Sequence, residues 1–268
     1  MIYIVIVSHH HDKMLFHSLP RVATQNNNKY KIIIKDNVGS ESLKIFCEKR
    51  FIKYISSKNR MGFGENNNYV VNYILKNYTI NKDDYIIFMN PDVTIECDEL
   101  LSLVEYIERN KFSAFTIDLY KNSGFSLRDG FVRTYPTLFD FIYSFCFKKN
   151  KTILNREDIY EVITIDWCAG SFIGFDLNEF IKIDGFDESY FMYCEDLDLC
   201  YRCKLYGINV KYIPNFKAIH TAHHDNRMLF SRAFFWHVAS SIRFLYKKAR
   251  FKNYELYSKS VKSILKGK

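Results

Sequence analysis

The sequence predicts an α/β fold built on a mostly parallel central sheet with helices on both faces. Short β-branched runs alternate with helical patterns through the first half of the chain, and three of those runs end in polar residues. The 268 residues are 48% hydrophobic and 25% charged, the composition of a globular chain with ample material for a core.

Ile2–Ser8 is an apolar run closing on Ser8. It lacks a basic leader and a small-residue cleavage site, so it reads as a buried strand and not a signal peptide. Residues 30–35 form a second run, closed by Asp36-Asn37 and then Gly39. Residues 51–56 are a weaker third. Tyr85–Met89 is a fourth, stopped by Asn90-Pro91-Asp92. Residues 65–78 place Val70, Val71, Ile74 and Leu75 at helical spacing, and residues 98–109 do the same with Leu100, Leu101, Leu103, Val104 and Ile107.

The second half is less regular. Residues 112–120 read as a strand, 126–135 as a hairpin or irregular lobe, and 137–147 as a helix. Residues 162–175 are apolar but interrupted by Trp167, Gly170 and Ser171. Residues 197–206 read as a helix ended by Gly207, and residues 209–213 as a strand ended by Pro214. The seven cysteines are odd in number and follow no secretion signal, so they read as reduced cytosolic thiols. Cys200 and Cys203 form a lone CxxC inside a helical pattern, which points to core thiols before zinc.

Ligands of such sheets sit beyond the carboxyl ends of the strands. Three ends here carry polar side chains: Ser8 with His9, Asp36 with Asn37, and Asn90 with Asp92. An acid just past a buried strand is placed to hold a divalent cation, since Mg²⁺ takes one or two carboxylates plus substrate phosphates. Glu195, Asp196 and Asp198 follow an aromatic lead-in. Acids suit a helix N-terminus, and an acid beside apolar rings gains the proton affinity of a general acid or base. His220, His223, His224 and Asp225 suit metal or phosphate, or a solvated loop. Asn59, Gly62 and Gly64 lead into a helix, where glycines let a backbone approach phosphate. There is no GxGxxG and no GxxxxGK[ST], which removes the dinucleotide and P-loop readings.

Taken in order, VIVSHH, KDNVGS, NRMGFGENNN, FMNPDV, WCAGSF, GFDESYFMYCEDLDLCYR and a late AIH resemble the family 2 glycosyltransferases of GT-A fold. They are most similar to bacterial rhamnosyltransferases of O-antigen and related polysaccharides. The resemblance implies a catalytic domain over residues 1–226, with a nucleotide-binding half (1–110) and an acceptor-binding half (111–226). It implies inverting transfer of a sugar, L-rhamnose from dTDP-rhamnose or another dTDP- or UDP-sugar, to a polyprenyl-diphosphate-linked acceptor. By the same resemblance Asp92 and His220 would hold Mg²⁺ or Mn²⁺, with Asn90 standing where many members have a first Asp. Asp36 would accept the N3–H of a uracil or thymine ring. Ser8, Asn59 and Gly62 would line the donor pocket, and Trp167, Gly170 and Ser171 the place where the two sugars meet. Asp196 would be the catalytic base, with Glu195 the second choice.

The net charge of +8 is unevenly spread. Residues 227–268 hold eleven Lys and Arg against one acid, Glu255, so the rest of the chain carries a small negative excess. That distribution excludes a globally basic nucleic-acid-coating protein, and no aromatic-basic RNP motif accompanies the tail. Phe230, Phe234, Val238, Ile242, Leu245 and Ala249 recur at spacings of three and four, with Arg243, Lys247 and Arg250 on another face. This basic amphipathic helix either lies in an anionic membrane surface or packs on the domain, and the two are compatible. The expected location is the cytoplasm, peripheral on the inner face of the cell membrane.

Overall fold

The computed structural model describes residues 1–22, 28–57, 59–221 and 231–251. The first half runs β1 (Ile2–Ser8), α1 (Asp12–Val22), β2 (Tyr30–Asp36), α2 (Glu41–Glu48), β3 (Lys53–Ser56), α3 (Phe63–Asn77), β4 (Tyr85–Met89), β5 (Val93–Thr94) and α4 (Cys97–Asn110). It continues with β6 (Ala114–Tyr120), β7 (Val132–Arg133), α5 (Leu138–Phe147), β8 (Ile163–Ile165), β9 (Trp167–Cys168) and β10 (Phe172–Asp176). Last come α6 (Leu177–Lys182), α7 (Glu195–Leu205), β11 (Val210–His220) and α8 (Arg232–Arg250).

The main sheet has the order β3-β2-β1-β4-β10-β6-β11-β5, with β8 paired to β11. Strands β1 to β4 are parallel. Their apolar runs fit this, because β4 is buried at every position and β1 at all but Val7. β10 runs antiparallel between β4 and β6, while β6 and β11 are parallel. β7 and β9 form a separate two-stranded ribbon.

The expected strand end at Pro214 is corrected. β11 continues to His220, with a register shift against β6 between Ile213 and Lys217. Proline has no N–H for the ladder, so the strand bulges around it and then resumes pairing. The resumed segment pairs antiparallel with β5, His220 opposite Val93. The CxxC cysteines both lie buried on α7.

α8 rests on the body of the protein. Phe244 is fully buried, and Tyr201 on α7 donates from its hydroxyl to the Phe251 carbonyl at 2.8 Å. Its Lys247 reaches Asp198 at 2.7 Å and Asp187 at 2.5 Å. Asp198, with no solvent exposure, also pairs with Arg202 at 2.8 Å and accepts from the Tyr190 hydroxyl at 3.3 Å. His223, His224, Asp225 and Phe230 lie outside the described residues.

Asp198→Ala would leave the buried cation of Arg202 and the mostly buried one of Lys247 without their shared carboxylate. The expected cost is about 3–5 kcal/mol in urea denaturation. A loss below about 1 kcal/mol would show that the cluster does not anchor α7 to α8.

Candidate active site

Pairing fixes the floor of the crevice. Ser8 lies opposite Asp36 across β1 and β2, and Ile6 opposite Met89 across β1 and β4. Asn90 and Asp92 therefore follow at the same sheet edge. β10 closes the other side: Phe172 pairs with Met89, and the Asn90 N–H donates to the Ser171 carbonyl at 2.9 Å.

Asp36 is fully buried. It accepts from the Val38 N–H at 3.0 Å, the Ser40 N–H at 2.6 Å and the Tyr54 hydroxyl at 2.8 Å. These bonds shape the loop that caps α2. One of its oxygens holds a single donor, so acceptor capacity remains. Asn37 clamps the next loop, donating to the Met61 carbonyl at 3.0 Å and accepting from the Met61 N–H at 3.1 Å. Gly62 starts α3 tightly under the chain ahead of α7. A Cβ there would fall 2.5 Å from the Phe191 carbonyl oxygen, so glycine is required by packing. Asn59 is exposed on the rim.

Asp92 and His220 meet as the resumed β11 places them. The His220 Nε2 lies 3.4 Å from Asp92 Oδ1, and its Nδ1 lies 2.5 Å from Asp129 Oδ2. Asp129 was not singled out by the sequence. Arg156, buried with Asp118, donates to the Asp129 carbonyl at 2.6 Å and steadies it. Burial works against charge on all three, yet pairing wins. His220 is raised to about 9, burial opposing and the bonds to Asp129 and Asp92 prevailing. Asp92 and Asp129 are each lowered, because the His220 bond and charge outweigh burial.

The third group surrounds the N-terminus of α7. The carboxylate of Asp196 accepts from the Gly170 N–H at 2.8 Å and from the Leu197 N–H at 2.8 Å. A Cβ on Gly170 would lie 3.2 Å from the Phe63 ring and 3.6 Å from Asp196 Cβ, so glycine permits this close approach. Glu195 is buried beside it, and its Oε2 has no hydrogen-bond partner. Desolvation first, and the charge of Asp196 second, push the Glu195 carboxyl well above its ordinary range. Desolvation raises Asp196 as well, opposed by the Gly170 and Leu197 N–H groups and by Arg133. Glu195 is the more strongly raised of the two, and Asp196 is the one held by backbone N–H donors that favour its charged form.

Trp167 donates its indole N–H to the Thr134 carbonyl at 2.9 Å, and the Arg133 guanidinium lies 5.3 Å from its ring centre. Arg133 also donates to the Gly130 carbonyl at 2.7 Å, next to Asp129. It thus spans from the Asp129–His220 pair to the Trp167 wall, a link the sequence did not show. Asp129 and Arg133 sit in an irregular lobe with no periodicity to mark them.

Four buried polar atoms of this crevice lack a protein partner: Ser8 Oγ, His9 Nδ1, Ser171 Oγ and Glu195 Oε2. Buried polar atoms are normally paired, so their gathering at one sheet edge marks a binding site. Among the described residues no group of three or more His, Cys, Asp or Glu is arranged to hold a metal. The Asp92–His220 pair remains, and its 3.4 Å separation suits two atoms sharing one ion at about 2.1 Å each. Asp129 on the far ring nitrogen supplies the orienting carboxylate that metal-binding histidines usually have.

A GT-A sheet with an acid pair at a helix N-terminus defines a sugar-transferring enzyme, and the comparisons agree. The model described as glycosyl transferase family 2 matches residues 3–177. The chain is 44% identical over 249 residues to the rhamnosyltransferase WbbL of Escherichia coli (strain K12), covering 92% of this chain and 94% of that one. GalNAc-T7, solved with UDP, GalNAc and Mn²⁺, superposes with a TM-score of 0.59 at 13% identity, over 82% of this chain and 43% of that one. The mannosyltransferase PcManGT of Pyrobaculum calidifontis, in complex with GDP-Man and Mn²⁺, gives 0.55 at 10% identity, over 84% and 58%. These two structures share the fold alone, and the chain spans about half of each. The chain belongs to glycosyl transferase family 2.

The raised His220 contributes stability that is complete below about pH 6.5 and lost as pH rises through about 9. In EDTA, His220→Gln should therefore destabilise the protein more at pH 6 than at pH 10, by on the order of 3 kcal/mol. Equal denaturation midpoint shifts at the two pH values would contradict the pairing.

Proposed function

We propose that the protein is an inverting glycosyltransferase that moves L-rhamnose from dTDP-rhamnose onto a polyprenyl-diphosphate-linked acceptor sugar in O-antigen-type polysaccharide synthesis. The observation that carries transfer is the adjacent acid pair at the crevice, a buried Glu195 whose Oε2 has no partner beside an Asp196 held on two backbone N–H groups. The identity of the sugar is supported by the rhamnosyltransferase relative. The GDP-Man held by the mannosyltransferase PcManGT, which shares the fold, supports a nucleotide-linked donor.

The donor lies along the β1, β2 and β4 ends. Ser8 and Ser171 offer hydroxyls without other partners, and Asp36 keeps acceptor capacity toward a pyrimidine N3–H. Asp92 and His220 are the residues that would hold Mg²⁺ or Mn²⁺, which when bound supplies positive charge for the departing diphosphate. Asn90 adds no charge, so Arg133 brings a cation of the protein's own to that side. Trp167 and Gly170 wall the place where the acceptor meets the anomeric carbon. Asp196 takes the proton of the acceptor hydroxyl as that oxygen forms the new bond. Attack comes opposite the leaving group, so the configuration inverts without a covalent enzyme intermediate. Residues 227–268 would bring this machinery to an anionic membrane surface. Among the described residues no helix is long and apolar enough to cross a membrane.

Asp196→Asn keeps the size of the side chain and one N–H contact, on its remaining carbonyl oxygen, but removes the base. It should cut transfer of radiolabelled sugar roughly 100-fold or more while calorimetric binding of the nucleotide diphosphate persists. Undiminished turnover would refute the assignment. Asp92→Ala should abolish stimulation by Mn²⁺, and wild-type transfer that is equal in EDTA and Mn²⁺ would remove the metal from the reading.

A further inference from the structure

The apolar stripe that the sequence marks on the tail is split by the fold, with Ile242 and Ala249 facing water and the rest of its described residues at least half-buried. Phe234 and Leu245 pack inward, Phe234 meeting Phe145 of α5 with ring centres 5.6 Å apart. The outward arc of α8 is instead Phe235, Ala239, Ile242, Tyr246 and Ala249, at alternating steps of four and three. Phe235, Ile242 and Tyr246 are 58, 62 and 60% exposed. One flank of the arc carries Arg232, Arg243 and Arg250, all exposed. Residues 231–251 contain no Asp or Glu.

α5 lies against α8 through Phe141 and Phe145, which meet His237. Its free side shows Leu138 at 54%, Phe139 at 80% and Ile142 at 47% exposure. It is followed at once by exposed Lys148, Lys149 and Lys151. The acid of α5, Asp140, is engaged in the capping box with Thr137. A large exposed apolar surface rimmed by one sign of charge is uncommon on a soluble monomer. Aromatic and aliphatic side chains beside Lys and Arg, with acids withdrawn, match the boundary of an anionic bilayer.

We propose that α5 and the outer arc of α8 form one bilayer-docking face, with Leu138, Phe139, Ile142, Phe235, Ile242 and Tyr246 entering the interface and the basic residues meeting anionic headgroups. The proposal rests on the reading of a lipid-borne acceptor. The opposite face of α8 holds the catalytic region. Ser240 donates to the Met192 carbonyl at 3.0 Å, three residues before Glu195, and Trp236 packs at a tilt on Phe191 with ring centres 4.7 Å apart, next to the α3 entry. The element that touches the membrane is thus the one that supports the Glu195–Asp196 turn. It also makes the tail an integral part of the body, so removal at residue 226 would take Phe244 from the core and Lys247 from Asp198.

The test is co-sedimentation of the full chain with phosphatidylglycerol-containing and pure phosphatidylcholine vesicles, with no sugar present. Three variants are compared: L138S/F139S/I142S, F235S/I242S/Y246S, and K148E/K149E, with Phe51→Ser as an exposed apolar control on the α2–β3 turn. Circular dichroism and nucleotide-diphosphate binding verify the fold. The full chain and the control should bind the anionic vesicles, and each of the three variants should bind roughly tenfold less or weaker. Transfer to a detergent-dispersed acceptor should stay near wild type in K148E/K149E, which separates loss of docking from loss of the enzyme reading. Wild-type binding by the folded variants would overturn the proposal. So would failure of the full chain to bind anionic vesicles, or light scattering that shows a dimer dissociated by the same substitutions.

Discussion

Asp198 sits at the junction of α7, α8 and the chain ahead of α7, with no solvent exposure and three charged or hydroxyl partners. Burying a carboxylate is costly unless both oxygens are satisfied, and here Arg202, Lys247 and Tyr190 satisfy them. The consequence is positional. α7 cannot slide or turn without stranding these charges, so its first residues, Glu195 and Asp196, are held at one place in the crevice. The Gly170 N–H completes the arrangement from β9–β10, where a Cβ would crowd the Phe63 ring at 3.2 Å.

On the donor side the corresponding constraint is the bulge at Pro214. Without it β11 would keep its first register against β6, and His220 would run past Asp92. With it, one strand runs from the core to the site and delivers an imidazole between two carboxylates. The two halves of the sheet thereby divide the work. Parallel strands β1, β2 and β4 bring Ser8, Asp36 and Asp92 to one end of the sheet, where the proposed function places the nucleotide diphosphate. The antiparallel insertion of β10 brings Ser171 and, just before it, Gly170 to the side proposed for the sugars.

Much of this was legible in the sequence, for a physical reason. Strand ends with a polar residue after a β-branched run are local signals, so Ser8, Asp36, Asn90 and Asp92 could be placed together from spacing alone. The Glu195–Asp196 pair was likewise readable as acids at a helix start. What could not be read depends on distant partners. Asp129 gains its role only by meeting His220, 91 positions away. Arg133 gains its place through a two-residue ribbon with Trp167. Pro214 read as a strand end because local chemistry does not reveal that pairing resumes beyond a bulge. On α8 both arcs are apolar, so periodicity could not choose between Phe234 with Leu245 and Phe235 with Tyr246. α2 is too short, at eight residues, for its stripe to stand out.

The central claim is direct displacement at the anomeric carbon with Asp196 as base. The most direct measurement is the anomeric configuration of the new linkage relative to the donor, by NMR one-bond C–H coupling on the product of a single transfer. The account predicts inversion. Retention would require a covalent intermediate or a front-side attack, and would contradict it.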